Sequence, residues 1–229
     1  NNGVTLDEDG KLVLVTEDIR NGNGRAVKSK LWSPNRDDKF AEPANAIFWL
    51  MKDPTLPPVL KVTDPVLAST MGATLATKRT SAERLAEGVD PNALVVEPYA
   101  NPFRTYKLVN DYEVFKKLFA EANVACYIMN TGAFMGKDIT KEVTLGSLEA
   151  IVEGTAQFVD IGLPGIQNLA VKGYEPDFKD SEYKKQFIAR MQDRVRFIAE
   201  KETARGGYDK LPEEALNAMK AVAQKAEEL

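Results

Sequence analysis

Histidine is absent from the 229 residues, and that gap removes more chemistry than any other feature of the chain. Triads built on histidine cannot form, and the commonest zinc ligand sets lose their nitrogen donor. Acid–base work would fall to aspartate, glutamate, lysine, arginine or tyrosine. Cysteine is almost as scarce. Cys126 stands alone, so no internal disulfide can form, and its place inside an apolar run suits a small buried hydrophobe. Nothing charged lies beside it to lower the thiol pKa towards a nucleophile. No apolar run approaches the roughly 18 residues that span a bilayer, and no basic-apolar leader pattern is seen. Net charge is −4, with no strongly basic stretch. The expectation is a soluble, cytoplasmic protein without membrane or nucleic-acid partners.

The usual phosphate signatures are missing too. A phosphate loop needs G-x-x-x-x-G-K-[ST], so that backbone N–H groups wrap the phosphates while lysine and a hydroxyl reach them and the metal. The nearest approach runs from Gly132 through Gly136 and Lys137 to Asp138. It has one residue too few between its glycines and an aspartate in place of the hydroxyl. No G-x-G-x-x-G opens a helix, and no aspartate pair follows a strand as a metal motif would require.

What is present reads as an α/β protein. Hydrophobic residues make up 44% and charged residues 28%, enough apolar material for a substantial core on a solvated surface. The organising stretch runs from Val124 to Ile151: an apolar strand, a turn at Asn130-Thr131-Gly132, a second glycine at Gly136, then a helix. That helix carries apolar residues at Leu145, Leu148, Ile151 and Val152, the spacing of one helical face. In an open α/β sheet, ligands bind beyond the carboxyl ends of the strands. A loop there without bulky side chains is where a ligand is expected.

The flanking segments fit the same class. Asp9-Gly10 signals a hairpin, and Asn21-Gly22-Asn23-Gly24 a corner, which by turn chemistry alone is also a plain surface loop. Ser33 to Pro43 reads as a polar loop and 46–51 as a buried strand. Adjacent prolines make 53–59 stiff and extended, either a pocket wall or a connector. Thr63 or Asp64 is predicted to cap a helix starting at Pro65. Ser81 to Asn92 reads as a short helix and loop before a strand at 93–96. Asn110 or Asp111 is predicted to cap a helix whose core stripe is Val114, Phe115, Leu118, Phe119 and Ala122. After short extended pieces around Leu163-Pro164-Gly165 come two long amphipathic helices, from about Ser181 and from Pro212, separated by Arg205-Gly206-Gly207. The fold class is therefore α/β: a mixed sheet with flanking helices in a single domain over 1–229, with residues 155–229 a helical cap on it.

Taken in order, several of these segments resemble the phosphoenolpyruvate carboxykinase family, in particular its ATP-type branch. Asn23-Gly24-Arg25 resembles an asparagine-x-arginine motif, and Leu56-Pro57-Pro58-Val59 is intact, followed by Lys61. Glu97-Pro98 with Phe103 downstream looks like an EP-containing loop. Asn130-Thr131-Gly132, then Gly136-Lys137-x-Ile139-Thr140, resembles the nucleotide-base loop, and Leu163-Pro164-Gly165 the turn before the last helices. The resemblance covers nearly all of the chain and implies a C-terminal nucleotide-binding portion of a longer protein, an expectation that the opening Asn in place of Met shares. The phosphate loop and metal ligands would lie upstream.

On this resemblance the whole protein would use ATP or GTP with magnesium or manganese to decarboxylate oxaloacetate, transferring a phosphoryl group to give phosphoenolpyruvate. Its partners would be a nucleotide, a small anionic substrate and the preceding part of the same protein, and the chain alone would be inactive. Arg25 would clamp the transferred phosphoryl group, a task that suits a bidentate guanidinium; otherwise it is an exposed loop arginine. Lys28, Lys30 and Lys61 could add to an anion-attracting field. Ile139 and Thr144 match positions that contact the base, with Gly136 and Lys137 beside them. Two departures stand out. Ala133-Phe134 replaces a tryptophan common after the NTG turn, and Asp138 stands where ATP-type members have an arginine. An aspartate only accepts hydrogen bonds, so facing the base it would favour an edge presenting donors, such as guanine; otherwise it faces solvent. A non-catalytic nucleotide-binding or assembly module, or a phosphotransferase with another acceptor, remains the alternative, and an upstream phosphate loop would discriminate them.

Overall fold

A computed structural model describes residues 4–6, 8–14, 35, 42, 44–78, 88, 90, 93–101 and 104–229. Its contacts divide the chain into two units, Asn1–Pro43 with Lys78–Ala93, and Ala44–Thr77 with Leu94–Leu229. In the first, β1 (Val4–Leu6) and β2 (Leu12–Leu14) pair antiparallel around a turn in which Gly10 takes a φ of 75°, as the Asp9-Gly10 signal predicts. The NGNG corner and most of 81–92 lie outside the described residues.

The second unit is α/β with a mixed sheet. Its strands are β3 (Ala46–Met51), β4 (Val59–Val62), β7 (Ala125–Asn130), β10 (Phe158–Asp160) and β11 (Ile166–Leu169), in the spatial order β10-β11-β4-β7-β3. Only β3 and β7 run parallel, in register from Ala46 opposite Ala125 to Met51 opposite Asn130. The other pairs are antiparallel. Strands β5 (Ala76–Lys78) and β6 (Leu94–Val96) form a separate ribbon, and β8 (Ala133–Phe134) with β9 (Lys137–Asp138) a third. The helices are α1 (Pro65–Ala73), α2 (Leu108–Glu121), α3 (Lys141–Val152), α4 (Ser181–Lys201) and α5 (Glu213–Glu228). None is long and apolar enough to cross a membrane.

Strand alternation sends Ile47, Trp49 and Met51 to one face of the sheet, and Ala46 and Phe48 to the other. The first face is covered by α1, α2, α4 and α5, which share the main core. Helix α1 is apolar almost all round and accordingly buried from Leu67 to Ala73. Its cap is Asp64, whose carboxylate accepts the Leu67 N–H at 2.7 Å. The second face is covered by α3, with Leu148 and Ile151 against Val59, Tyr127, Met129 and Leu169.

Two helix faces differ from expectation. Leu145 and Val152 of α3 point to solvent, at 62% and 83% exposure. On a 3.6-residue period the four positions span about 120°, and only the Leu148–Ile151 side of that arc is turned to the sheet, where both are half-buried. Helix α2 starts at Leu108, ahead of the predicted caps Asn110 and Asp111, and its N-cap residue Lys107 makes no side-chain cap. The Leu108 N–H is taken instead by the Asp209 carboxylate at 3.1 Å, from 101 residues away. Tyr112 and Leu108 are its buried residues, with Phe115 and Phe119 packed on the core, while Val114 is 58% exposed.

Candidate functional site

Just beyond the carboxyl ends of the parallel pair β3 and β7, one side chain gathers the neighbouring loop segments. The Asn130 amide Nδ2 donates to the carbonyls of Asp53 (2.8 Å), Leu56 (2.6 Å) and Ala133 (3.0 Å), and its Oδ1 accepts the Gly132 N–H at 3.0 Å. Backbone bonds continue the seam: Thr131 N–H to Met51 O (2.9 Å), Met135 N–H to Pro54 O (2.9 Å) and Asn130 N–H to Pro58 O (3.0 Å). The Asn130-Thr131-Gly132 turn and the Leu56-Pro57-Pro58-Val59 stretch are therefore parts of one structure. Both prolines are buried, and their fixed φ stiffens the floor beneath the turn. Gly132 sits so close to Lys52 that an added Cβ would lie 3.3 Å from the lysine Cβ.

Behind this seam lies a buried ion pair. Asp53 is fully buried; its Oδ1 accepts from the Thr55 N–H (3.0 Å) and hydroxyl (2.8 Å), closing a local turn. Its Oδ2 faces Arg194 Nη2 at 3.2 Å. The Arg194 Nη1 donates to the carbonyl and hydroxyl of Thr74 at the end of α1, where a cation suits the helix dipole. Burial pushes the guanidinium pKa below its usual value, opposed by the Asp53 charge. Arg194 Nε is left without a hydrogen bond among the described residues. Tyr183, also on α4, donates to Thr55 O at 3.3 Å, and burial raises its hydroxyl pKa.

The glycine-rich loop turns out to be a tight hairpin. Phe134 of β8 pairs with Lys137 of β9, and the two residues between, Met135 and Gly136, have φ of 46° and 80°, as a type I′ turn requires. Phe134 is buried edge-on to Tyr183, ring centroids 5.6 Å apart. The loop expected to be bare thus carries an aromatic anchor that fixes it to α4. A strap from the chain after β11 closes over β9. The Tyr174 hydroxyl donates to Asp138 O at 2.6 Å. Lys137 Nζ donates to Gly173 O at 3.0 Å and lies 4.0 Å from the centre of the Tyr174 ring.

The expected site residues are distributed as follows. Gly136, Lys137 and Asp138 are exposed along the hairpin. Ile139 is buried in the main core, its N–H bonded to Gly132 O at 2.9 Å. Thr144 is half-buried, with its hydroxyl returned to the Thr140 carbonyl at 3.2 Å, one turn back in α3. Thr140 caps that helix by accepting the Val143 N–H at 3.3 Å. Arg25, Lys28, Lys30 and Phe103 lie outside the described residues. Lys61 is on β4, 5.6 Å from the centre of the Phe158 ring, away from the strand ends. Two surface grooves, of about 500 and 460 Å³, lie against α5 and α4, and neither is lined by a residue of the seam or hairpin. Among the described residues no group of three His, Cys, Asp or Glu could hold a metal ion; a catalytic metal would need ligands from elsewhere.

Sequence reasoning missed Asp53, Arg194 and Tyr174. Arg194 had a signal: it interrupts the apolar stripe of Phe187, Met191 and Ile198 at core spacing. A charged residue on the inward face of a helix calls for a buried partner. Tyr174 had none, because its partner is a backbone carbonyl. No family model matches the chain, and no curated protein matches it either.

Proposed function

We propose that the chain supplies the base-side half of a nucleotide-driven phosphoryl-transfer cleft, in a protein resembling the phosphoenolpyruvate carboxykinases. The observation that carries the reading is the Asn130 amide, which ties the LPPV stretch to the turn before the hairpin. Two segments that carry the resemblance, separated by 74 residues in the Asn130–Leu56 bond, meet at the carboxyl end of the parallel strands, where α/β sheets bind ligands. In this reading the exposed Asp138 carboxylate meets the base edge, with Gly136 and Thr144 beside it. Lys137 serves by holding the hairpin, since its ammonium is engaged with Gly173 and Tyr174. Arg25 would hold the phosphoryl group in transit from nucleotide to the enolate left by oxaloacetate decarboxylation. The metal and phosphate-loop contacts would come from other parts of the protein.

An ionised carboxylate accepts two hydrogen bonds side by side, matching the paired N–H donors of guanine and not the acceptor at the same position of adenine. Calorimetric titration of the chain with GTP and ATP is expected to give saturable binding with GTP tighter. Asp138→Asn is expected to reduce the preference about ten-fold, the scale of one bidentate base contact. Absence of binding to either nucleotide would sink the proposal, and equal or ATP-dominated affinities would remove Asp138 from the base site. With oxaloacetate and GTP the isolated chain is expected to give no turnover; measurable phosphoenolpyruvate would contradict the division of the site.

A further inference from the structure

The strap that crosses β9 is more heavily built than an exposed two-residue strand needs. Tyr174 is 5% exposed although it belongs to a loop. Its hydroxyl makes a short bond to the Asp138 carbonyl, and its ring face takes the Lys137 ammonium. Gly173 has a φ of 83°, which favours glycine, and a Cβ there would stand 2.6 Å from Lys137 Nζ. Its N–H is bonded in turn to Glu175 Oε2 at 2.8 Å, and that bond is the leading cause of the lowered Glu175 pKa. Three contacts, from the Tyr174 hydroxyl, the Tyr174 ring and the Gly173 carbonyl, thus converge on two residues, Lys137 and Asp138, whose side chains are otherwise exposed.

Fixing the backbone carbonyl of Asp138 fixes the origin of its side chain. A carboxylate reading a base edge needs that origin held within about half an ångström, and the type I′ hairpin alone does not do so, because a two-stranded ribbon is marginal by itself. We infer that Tyr174 is a positioning residue for base selectivity: it clamps the Asp138 backbone from behind, with Lys137 and Gly173 completing the clamp. The inference rests on the nucleotide reading above and adds a residue that the family resemblance does not supply.

The test compares wild type, Tyr174→Phe and Gly173→Ala in the full chain, titrated with GTP, ATP and inorganic tripolyphosphate. Tyr174→Phe keeps the ring under Lys137 and removes only the hydroxyl bond. It is expected to weaken GTP about five-fold, the effect of one hydrogen bond, while ATP and tripolyphosphate bind as in wild type. Gly173→Ala, which displaces Lys137, is expected to change the GTP to ATP ratio in the same direction. Variants with wild-type affinities for both nucleotides would overturn the inference and leave the nucleotide reading standing. Equal weakening of all three ligands would also overturn it, because that marks general loosening and not a loss of base selectivity. A wild-type chain that binds neither nucleotide would overturn the underlying reading first, and this inference with it.

Discussion

Gly72 shows how little slack the core has at the scale of one residue. A methyl group there would meet Tyr99 Cε1 at 2.7 Å and Trp49 Cζ2 at 2.8 Å, two rings already locked edge to face at 5.6 Å. Helix propensity favours alanine over glycine by about 1 kcal/mol, whereas overpacking costs about 1–3 kcal/mol. Because the blocking atoms belong to rigid aromatic rings, the steric cost should win. Gly72→Ala is expected to lower stability by about 1–2 kcal/mol in denaturant unfolding, and a stabilised variant would contradict this packing. Cys126 offers a second test. Burial pushes its thiol pKa up to about 12, so the thiolate is vanishingly rare near neutrality. Alkylation at pH 8 is expected only after unfolding, and rapid labelling of the native chain would show that β7 opens.

At the scale of elements, two helices are held by charges far away in sequence. Removing Arg194 would leave Asp53 buried without its counter-charge, a loss of about 3–5 kcal/mol. Arg194→Met is therefore expected to destabilise strongly, and Asp53→Asn in the same chain to recover part of the loss, since asparagine can still accept from Thr55. A double variant worse than the single would show that the pair is not the coupling. Asp209 caps α2 and pairs with Arg104 at 2.6 Å, which, as the largest cause, holds its carboxyl below the usual aspartate value of 3.8. Its contribution is complete above pH 3.8 and is lost as pH falls through the lower folded value. Asp209→Asn should flatten the acid limb of a stability profile, leaving the residual slope of Glu214 and Glu175, lowered in the same direction by Lys116 and by the Gly173 N–H. An unchanged acid limb would remove Asp209 from the account. These charges explain which helix features could be read in advance. The Asp64 cap of α1 is local and was legible; the Asp209 cap of α2 arrives across 101 residues and was not.

At the scale of the whole molecule, the α/β class and the order of its main segments could be read from apolar runs and turn residues, because both are short-range properties. The strand order could not, since nothing local in Ile166–Leu169 says that it pairs with Val59–Val62. The candidate site divides the same way. The Asn130 turn was visible as a glycine signal, but what Asn130 holds depends on β3 and β7 lying side by side. The Asp53–Arg194 pair closes a separation of 141 residues, and this has a consequence for how the protein is made. The first strand of the main sheet leaves the ribosome long before the cation that neutralises its end. Until α4 is synthesised, the Asp53 carboxylate keeps its water and the floor beneath the hairpin stays unsealed, so nascent chains halted before α4 should be cut readily by protease near Asp53 while the completed chain resists.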